Sequence, residues 1–295
     1  MEEYVGYTFI VAIMLAMIIL YFNFNVTIPP EGFKNVGDII VKRDNEIYDD
    51  FYVSVYDELL HDEVRTNWEV GYVINHMSGD DNYILDVGSG TGNTVDIFTQ
   101  IGINAIGIDK SKAMTKQSLR QFPNSKFITS DITHTMIFEP ETFSAITCLY
   151  FTIYYVKDKR MLFENCMKYL KPGGILVLHL VDRNNFDTLL PDSNPLLLIS
   201  PQNYTKKRIT RSVGKFENHD YMSDFIFNNE NVVFYETFTN IKTGEIRKHE
   251  LQLYMETQRE ILKIARSAGF ILESQTEMDN CQHTNQYLYV LQKPR

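Results

Sequence analysis

The stretch Ile84-Leu85-Asp86-Val87-Gly88-Ser89-Gly90-Thr91-Gly92 constrains the fold more than any other, because an apolar run enters three glycines spaced two apart and a helical pattern follows. Glycine in such a place permits positive φ and lets backbone approach a ligand closely. Around it, short apolar runs at 83–87, 105–108, 126–129, 145–150 and 175–180 alternate with helical patterns near 93–101, 111–121 and 158–170. That order predicts a doubly wound α/β fold with a mostly parallel sheet covered on both faces. A further helix is expected over 62–77, with Val64, Trp68 and Tyr72 at helical spacing. After Asp182 the rhythm changes, and 183–255 reads as an antiparallel β insertion with strand-like segments at 232–239 and 247–254 on either side of Gly244. A helix over 257–268 and two last strands at 270–276 and 286–291, close enough to pair antiparallel, end the chain.

A dinucleotide-binding loop requires G-x-G-x-x-G, and here Asn93 stands where its third glycine would be. Asp109, followed by Lys110, ends the next strand about 20 residues beyond the loop, where a carboxylate can accept two hydrogen bonds from ribose hydroxyls. Asp131 ends the third strand beside Ile132. Taken alone, its alternative and less favoured reading is a turn or N-cap residue.

In that order, Asp86 through Gly92, Asp109, Asp131, the stretch 148–155 and Leu170-Lys171-Pro172-Gly173-Gly174 resemble successive motifs of class I S-adenosylmethionine-dependent methyltransferases, over most of residues 45–293. The resemblance implies a seven-stranded sheet closed by an antiparallel hairpin, with S-adenosyl-L-methionine as cofactor. It implies cofactor contacts at Asp86, Gly88, Gly90, Gly92, Asp109, Lys110, Asp131, Ile132 and Leu149. The Tyr-rich segment near residue 50, the 148–155 stretch and the insertion are similar to small-molecule N-methyltransferases that dimethylate amino sugars. An in-line methyl transfer needs a positioned nucleophile more than a triad. Tyr155, at the C-terminal edge of the sheet, is the leading catalytic candidate, with Tyr154 as fallback. A tyrosine with its ordinary pKa near 10 is a poor base at neutral pH, which favours positioning over proton acceptance. Tyr48, Tyr52 and Tyr56 recur every four residues and either cap the cofactor, with Tyr48 and Tyr56 as contacts, or simply pack.

Residues 5–24 carry no charge over about 20 positions, enough to cross a hydrocarbon core as a helix. They are expected as a transmembrane anchor, followed by a linker over 25–45 and the methyltransferase domain over 46–295. Glu2 and Glu3 face Lys34, Lys42 and Arg43 across the segment, which puts the catalytic domain on the cytoplasmic side. Three widely spaced cysteines fit a reducing compartment better than a disulfide framework, and neither they nor the scattered histidines form a metal-binding spacing. A formal charge of −10 argues against a nucleic-acid partner. Lys206, Lys207, Arg208 and Arg211 either meet an anionic substrate or lipid headgroups or are solvated surface charge. The expected function is methyl transfer to a small-molecule or lipid-associated amine or hydroxyl. The alternatives are a non-catalytic, membrane-anchored cofactor-binding module and a protein methyltransferase. Oligomeric state is not legible.

Overall fold

A computed structural model describes residues 39–79, 82–189, 202, 205–216, 218–228 and 231–295, all within the compact unit Gly37–Arg295. The chain opens with strand β1 (Ile39–Arg43), a 3-10 turn (Asp44–Ile47) and helices α1 (Asp50–Leu60) and α2 (Glu63–His76). An alternating segment follows: β2 (Tyr83–Val87), α3 (Asn93–Gln100), β3 (Asn104–Asp109), α4 (Lys112–Gln121), β4 (Lys126–Thr129), β5 (Phe143–Cys148), the short α5 (Thr152–Tyr155), α6 (Lys159–Tyr169) and β6 (Leu170–Val181). Four strands, β7 (Arg211–Phe216), β8 (His219–Asn228), β9 (Asn231–Asn240) and β10 (Ile246–Tyr254), interrupt it before α7 (Gln258–Ser267), β11 (Ile271–Met278) and β12 (His283–Gln292).

Seven strands form one sheet in the order β11-β12-β6-β5-β2-β3-β4. The pairs from β6 through β4 are parallel, and β12 lies antiparallel to both β6 and β11. Its central strands are buried on both faces, with Ile84, Leu85, Ile146, Leu176 and Leu178 fully enclosed, as a sheet covered by helices requires. Side-chain caps start the helices: Ser111 accepts from the Met114 N–H, Asp158 from the Met161 N–H, and Thr257 with Glu260 forms a capping box. The strand order reverses between β2 and β5, so their carboxyl ends leave the crevice in which such sheets bind ligands.

A second sheet, β1-β10-β9-β8-β7, is antiparallel except for β1, which runs parallel to β10. Residues 39–43 of the stretch read as a linker are therefore a strand, as their β-branched Ile39, Ile40 and Val41 favour. The inner face of this sheet packs Phe238 edge-on against Phe51 and Tyr52 of α1.

The transmembrane helix of the expected fold is not found among the described residues. Among the described residues no helix is long and apolar enough to cross a membrane, and residues 5–24 lie outside them. The longest α-helix among the described residues, α2, has 14 residues, a rise of about 21 Å against a hydrocarbon core of about 30 Å. The single-pass anchor, the membrane partner and the cytoplasmic-side localisation drawn from it are accordingly withdrawn.

Candidate functional site

Strand β2 delivers the chain into the glycine loop, where Gly88, Gly90 and Gly92 take φ of +71°, +53° and +96°. A Cβ on Gly88 would lie 2.4 Å from Thr152 Cγ2, so the close approach of α5 as well as the backbone conformation demands glycine. The Gly88 and Ser89 N–H groups donate to the Ile108 carbonyl at 2.8 and 3.1 Å. Beyond them the Asp109 carboxylate holds the loop in place, accepting from the Gly90 N–H at 2.9 Å and from the Ser111 N–H at 2.8 Å. Burial pushes the Asp109 carboxyl up, opposed by those two hydrogen bonds. At the end of β4, Asp131 accepts from both the N–H and the hydroxyl of Thr133 and pairs with Lys110 Nζ at 3.2 Å. Partial burial works against its charge, but these partners hold its carboxyl below the usual range. The Ile132 carbonyl beside it accepts from Asn165 Nδ2.

Between α1, α2, the loop and the end of β5 lies an open cavity of about 90 Å³. Of the residues singled out in the sequence, Asp86, Gly88, Gly90, Leu149, Tyr56 and Tyr155 line it. Asp109 joins it through Gly90, whereas Gly92 turns away to face Phe127 and Ser118. Lys110, Asp131 and Ile132 sit further along the sheet edge, and Tyr48 stands behind Tyr155 with their rings edge-on at 6.1 Å. Asp86 is buried and accepts from Thr147 Oγ1 at 2.7 Å, and burial pushes its carboxyl up to about 7.

Tyr154 and Tyr155 part company. The Tyr154 ring is enclosed in the core and its oxygen accepts from the Val181 N–H at 2.8 Å, a structural bond at the end of β6. Tyr155 is 38% exposed at the cavity, while Tyr48, Tyr56 and Tyr150 gather around it. Burial pushes the phenols of Tyr48, Tyr52, Tyr56 and Tyr155 above their usual value. Tyr48 lies outside α1, which Asp49 caps through the Tyr52 N–H, and its carbonyl accepts from Ser111 Oγ, fastening this turn to the Asp109 loop.

Four residues of the site escaped the sequence reading. Asp57 on α1 accepts from Thr91 Oγ1 at 2.5 Å and Asn93 Nδ2 at 3.3 Å, tying the helix to the loop. Arg65 and Glu69 on α2 line the cavity floor, and Arg65 lies over the Tyr150 ring at 4.1 Å. Arg65 Nε and Glu69 Oε1 are buried without a hydrogen bond, in looser ion-pair contact with Glu69 Oε2 at 3.8 Å and His179 Nδ1 at 3.4 Å respectively. Tyr150 itself turns out of β5 with φ +51°, a left-handed conformation unusual for a bulky residue and concentrated at functional positions. The available signal was the i, i+4 pair of opposite charges Arg65 and Glu69. Val64, whose spacing with Trp68 and Tyr72 drew attention instead, is 66% exposed.

A doubly wound sheet with an antiparallel last strand, a glycine loop at its switch point and a carboxylate closing the next strand defines the class I methyltransferase architecture. Residues 85–178 match the family model for a methyltransferase domain. Among solved structures, the chain superposes on the CcbJ methyltransferase from Streptomyces caelestis with a TM-score of 0.64 at 16% identity, covering 85% of this chain and 100% of that one. It superposes on the sugar N-methyltransferase KedS8 from Streptoalloteichus with a TM-score of 0.62 at 18% identity, covering 83% and 93%. In sequence it is 28% identical over 142 residues to the dTDP-4-amino-2,3,4,6-tetradeoxy-D-glucose N,N-dimethyltransferase of Saccharopolyspora spinosa, across 45% of this chain and 56% of that relative. It is also 28% identical to the ubiquinone biosynthesis O-methyltransferase of Pseudomonas entomophila, across 54% of this chain and 66% of the relative. The chain thus spans roughly half to two thirds of the length of these relatives. The methyltransferase-domain match is confined to residues 85–178, and the solved structures share the fold of the chain.

Proposed function

We propose that this protein is an S-adenosylmethionine-dependent methyltransferase acting on a small-molecule amine or hydroxyl. The observation that carries the reading is the donor set of the cavity, which matches the two chemically distinct ends of that cofactor. Arg65 and Glu69, buried at the cavity floor, make only loose ion-pair contacts there, Arg65 Nε with Glu69 Oε2 at 3.8 Å and Glu69 Oε1 with His179 Nδ1 at 3.4 Å, and suit an amino-acid carboxylate and ammonium. Asp109 has both oxygens committed to backbone N–H groups yet retains lone pairs for a ribose diol. When bound, the cofactor supplies a methyl group on a sulfonium, activated for in-line displacement.

The chain's own part is to bind, orient and exclude water. Gly88 and Gly90 let backbone approach the ligand, and Leu149 and Tyr56 wall it in. Asp86 keeps a buried carboxyl beside the loop, whose pKa of about 7 would fall on meeting an ammonium. Tyr155 orients the acceptor rather than taking its proton, because its phenol is shifted away from neutrality. The second sheet packs on α1 through Phe238 and does not itself line the cavity, so it acts on the acceptor only through the α1 tyrosines. The amino-sugar and sugar N-methyltransferases among the similar proteins support an amine acceptor.

Calorimetry on the full chain with S-adenosylmethionine and with NADH tests the reading, which requires binding of the first and not of the second. A folded protein that binds neither would overturn it. Binding without methylation of any amine or hydroxyl in an acceptor screen would favour a non-catalytic cofactor-binding module. Arg65→Met is expected to weaken S-adenosylmethionine about 10- to 100-fold, the loss of one charge-assisted contact. It should leave 5′-methylthioadenosine, which lacks the amino-acid end, unchanged. Tyr155→Phe is expected to lower turnover about tenfold, one orienting hydrogen bond, with cofactor affinity intact. An unchanged rate would remove Tyr155 from the acceptor site.

A further inference from the structure

Between α1 and the inner face of the second sheet lies a buried polar cluster separate from the glycine loop. Glu236 on β9 is 2% exposed. Its Oε1 accepts from the Tyr221 hydroxyl at 2.8 Å and the Tyr52 hydroxyl at 3.3 Å, and its Oε2 faces His249 Nδ1 at 3.2 Å. On the far side of that ring, Arg247 Nε meets His249 Nε2 at 2.8 Å. A guanidinium can only donate, so Nε2 accepts, the ring proton sits on Nδ1, and His249 donates to Glu236 as a neutral imidazole. The Arg247 charge is answered by Asp49 at 2.5 Å. Glu236 is therefore ringed by neutral donors, and the cluster carries one net negative charge in a place closed to solvent.

We propose that Glu236 is a fixed anion that biases the methyl-transfer end of the cavity towards positive charge, so that the site holds a cationic cofactor in preference to its neutral thioether product. This rests on the methyltransferase reading above. Aromatic rings link the cluster to the cavity: Tyr52 meets Tyr48 at 5.5 Å and Tyr56 at 5.8 Å, and Tyr48 meets Tyr155 at 6.1 Å. Tyr56 and Tyr155 are cavity walls. Burial chiefly, and the charge of Glu236 in the same direction, raise the Tyr48, Tyr52 and Tyr155 phenols. An anion surrounded by rings and neutral donors is weakly screened, unlike one facing water. Of the other charges near the cavity, Arg65 faces Glu69, whose second oxygen faces His179, Asp57 accepts from Thr91 and Asn93, Asp109 is bonded to the glycine loop, and Asp86 is half-neutralised near pH 7. The consequence for turnover is discrimination against the spent cofactor, which loses its positive charge with the methyl group and should leave readily.

The test is calorimetry on the full chain with S-adenosylmethionine, S-adenosylhomocysteine and sinefungin, which bears an ammonium where the sulfonium stands. The wild-type protein should bind sinefungin about tenfold more tightly than S-adenosylhomocysteine, the scale of one charge interaction at intermediate dielectric. Glu236→Gln keeps the shape and, with its amide turned, can accept from His249 and donate to the two tyrosine oxygens. It should weaken sinefungin and S-adenosylmethionine about five- to tenfold and leave S-adenosylhomocysteine unchanged, while Glu236→Asp retains the preference. A structural role alone would weaken all three ligands together, and that result, or an undiminished preference in folded Glu236→Gln, overturns the proposal. Should that variant fail to fold, the wild-type comparison still decides, because S-adenosylhomocysteine bound as tightly as sinefungin overturns it too. Binding of none of the three would overturn the cofactor assignment, and this inference with it.

Discussion

Asp109→Ala should bind S-adenosylmethionine at least about 100-fold more weakly than the wild type, a cost of roughly 3 kcal/mol from two lost hydrogen bonds to a charged acceptor. The carboxylate stands in two relations at once. Its oxygens accept from the Gly90 and Ser111 N–H groups, which sets the shape of the loop, and its remaining lone pairs are the acceptors that the proposed reading gives to a ribose diol. Alanine removes both and leaves the Gly90 N–H without its acceptor. Asparagine separates them, since its one carbonyl oxygen can serve only part of this set and its amide must face a donor. Asp109→Asn is therefore expected to fall between wild type and alanine, about tenfold weaker than wild type. Calorimetry, with a thermal melt to show that the variant is folded, measures both. Affinity unchanged by the alanine would contradict the ribose contact.

Much of the large sheet was legible because its signals are local and redundant. The run 83–87 coincides with β2, and the glycines, Asp109 and the hairpin strands each lie where the apolar pattern and turn chemistry put them. What was missed depended on partners distant in sequence. The buried face of α2 carries Arg65, Thr66 and Glu69 beside Val70 and Val73, a mixture that periodicity of apolar residues passes over because the N-terminal half of the helix covers a polar cavity while Val70 and Val73 pack into the core. Strand β5 was expected to run on to Tyr150, but the chain leaves the sheet after Cys148, and the left-handed turn at Tyr150 has no glycine to announce it. Glu236 was invisible for the same reason as Arg65. Its donors Tyr52, Tyr221 and His249 come from α1, β8 and β10, and only the assembled sheet brings them together. The membrane anchor shows the opposite error, a function drawn from hydropathy alone where no described helix supports it.

Gly92→Ala is expected to lower stability by about 3 kcal/mol, from left-handed backbone strain and overpacking together, and to drop the melting temperature by roughly 10 °C. Gly92 holds φ +96°, and an added Cβ would lie 2.6 Å from Phe127 Cζ and 2.8 Å from Ser118 Cβ. Neither neighbour can yield cheaply. Phe127 is packed on β4 beneath the loop, and the Ser118 Cβ is fixed to the backbone of a fully buried position on α4. Gly90→Ala provides the contrast. Its φ of +53° imposes some strain, but the nearest atom to a new Cβ is Tyr56 Cε1 at 3.6 Å, an ordinary contact, and the methyl would project at the cavity wall. The Gly90 variant should therefore melt within a few degrees of wild type, having lost about 1 kcal/mol, and show its defect as weakened cofactor binding. Thermal melts and calorimetry on the two variants separate a glycine required by packing from one required by the ligand. If instead Gly92→Ala melted like wild type, the close seating of the loop on β4 and α4 would be wrong. If Gly90→Ala bound the cofactor normally, that stretch of backbone would not be the surface the ligand approaches.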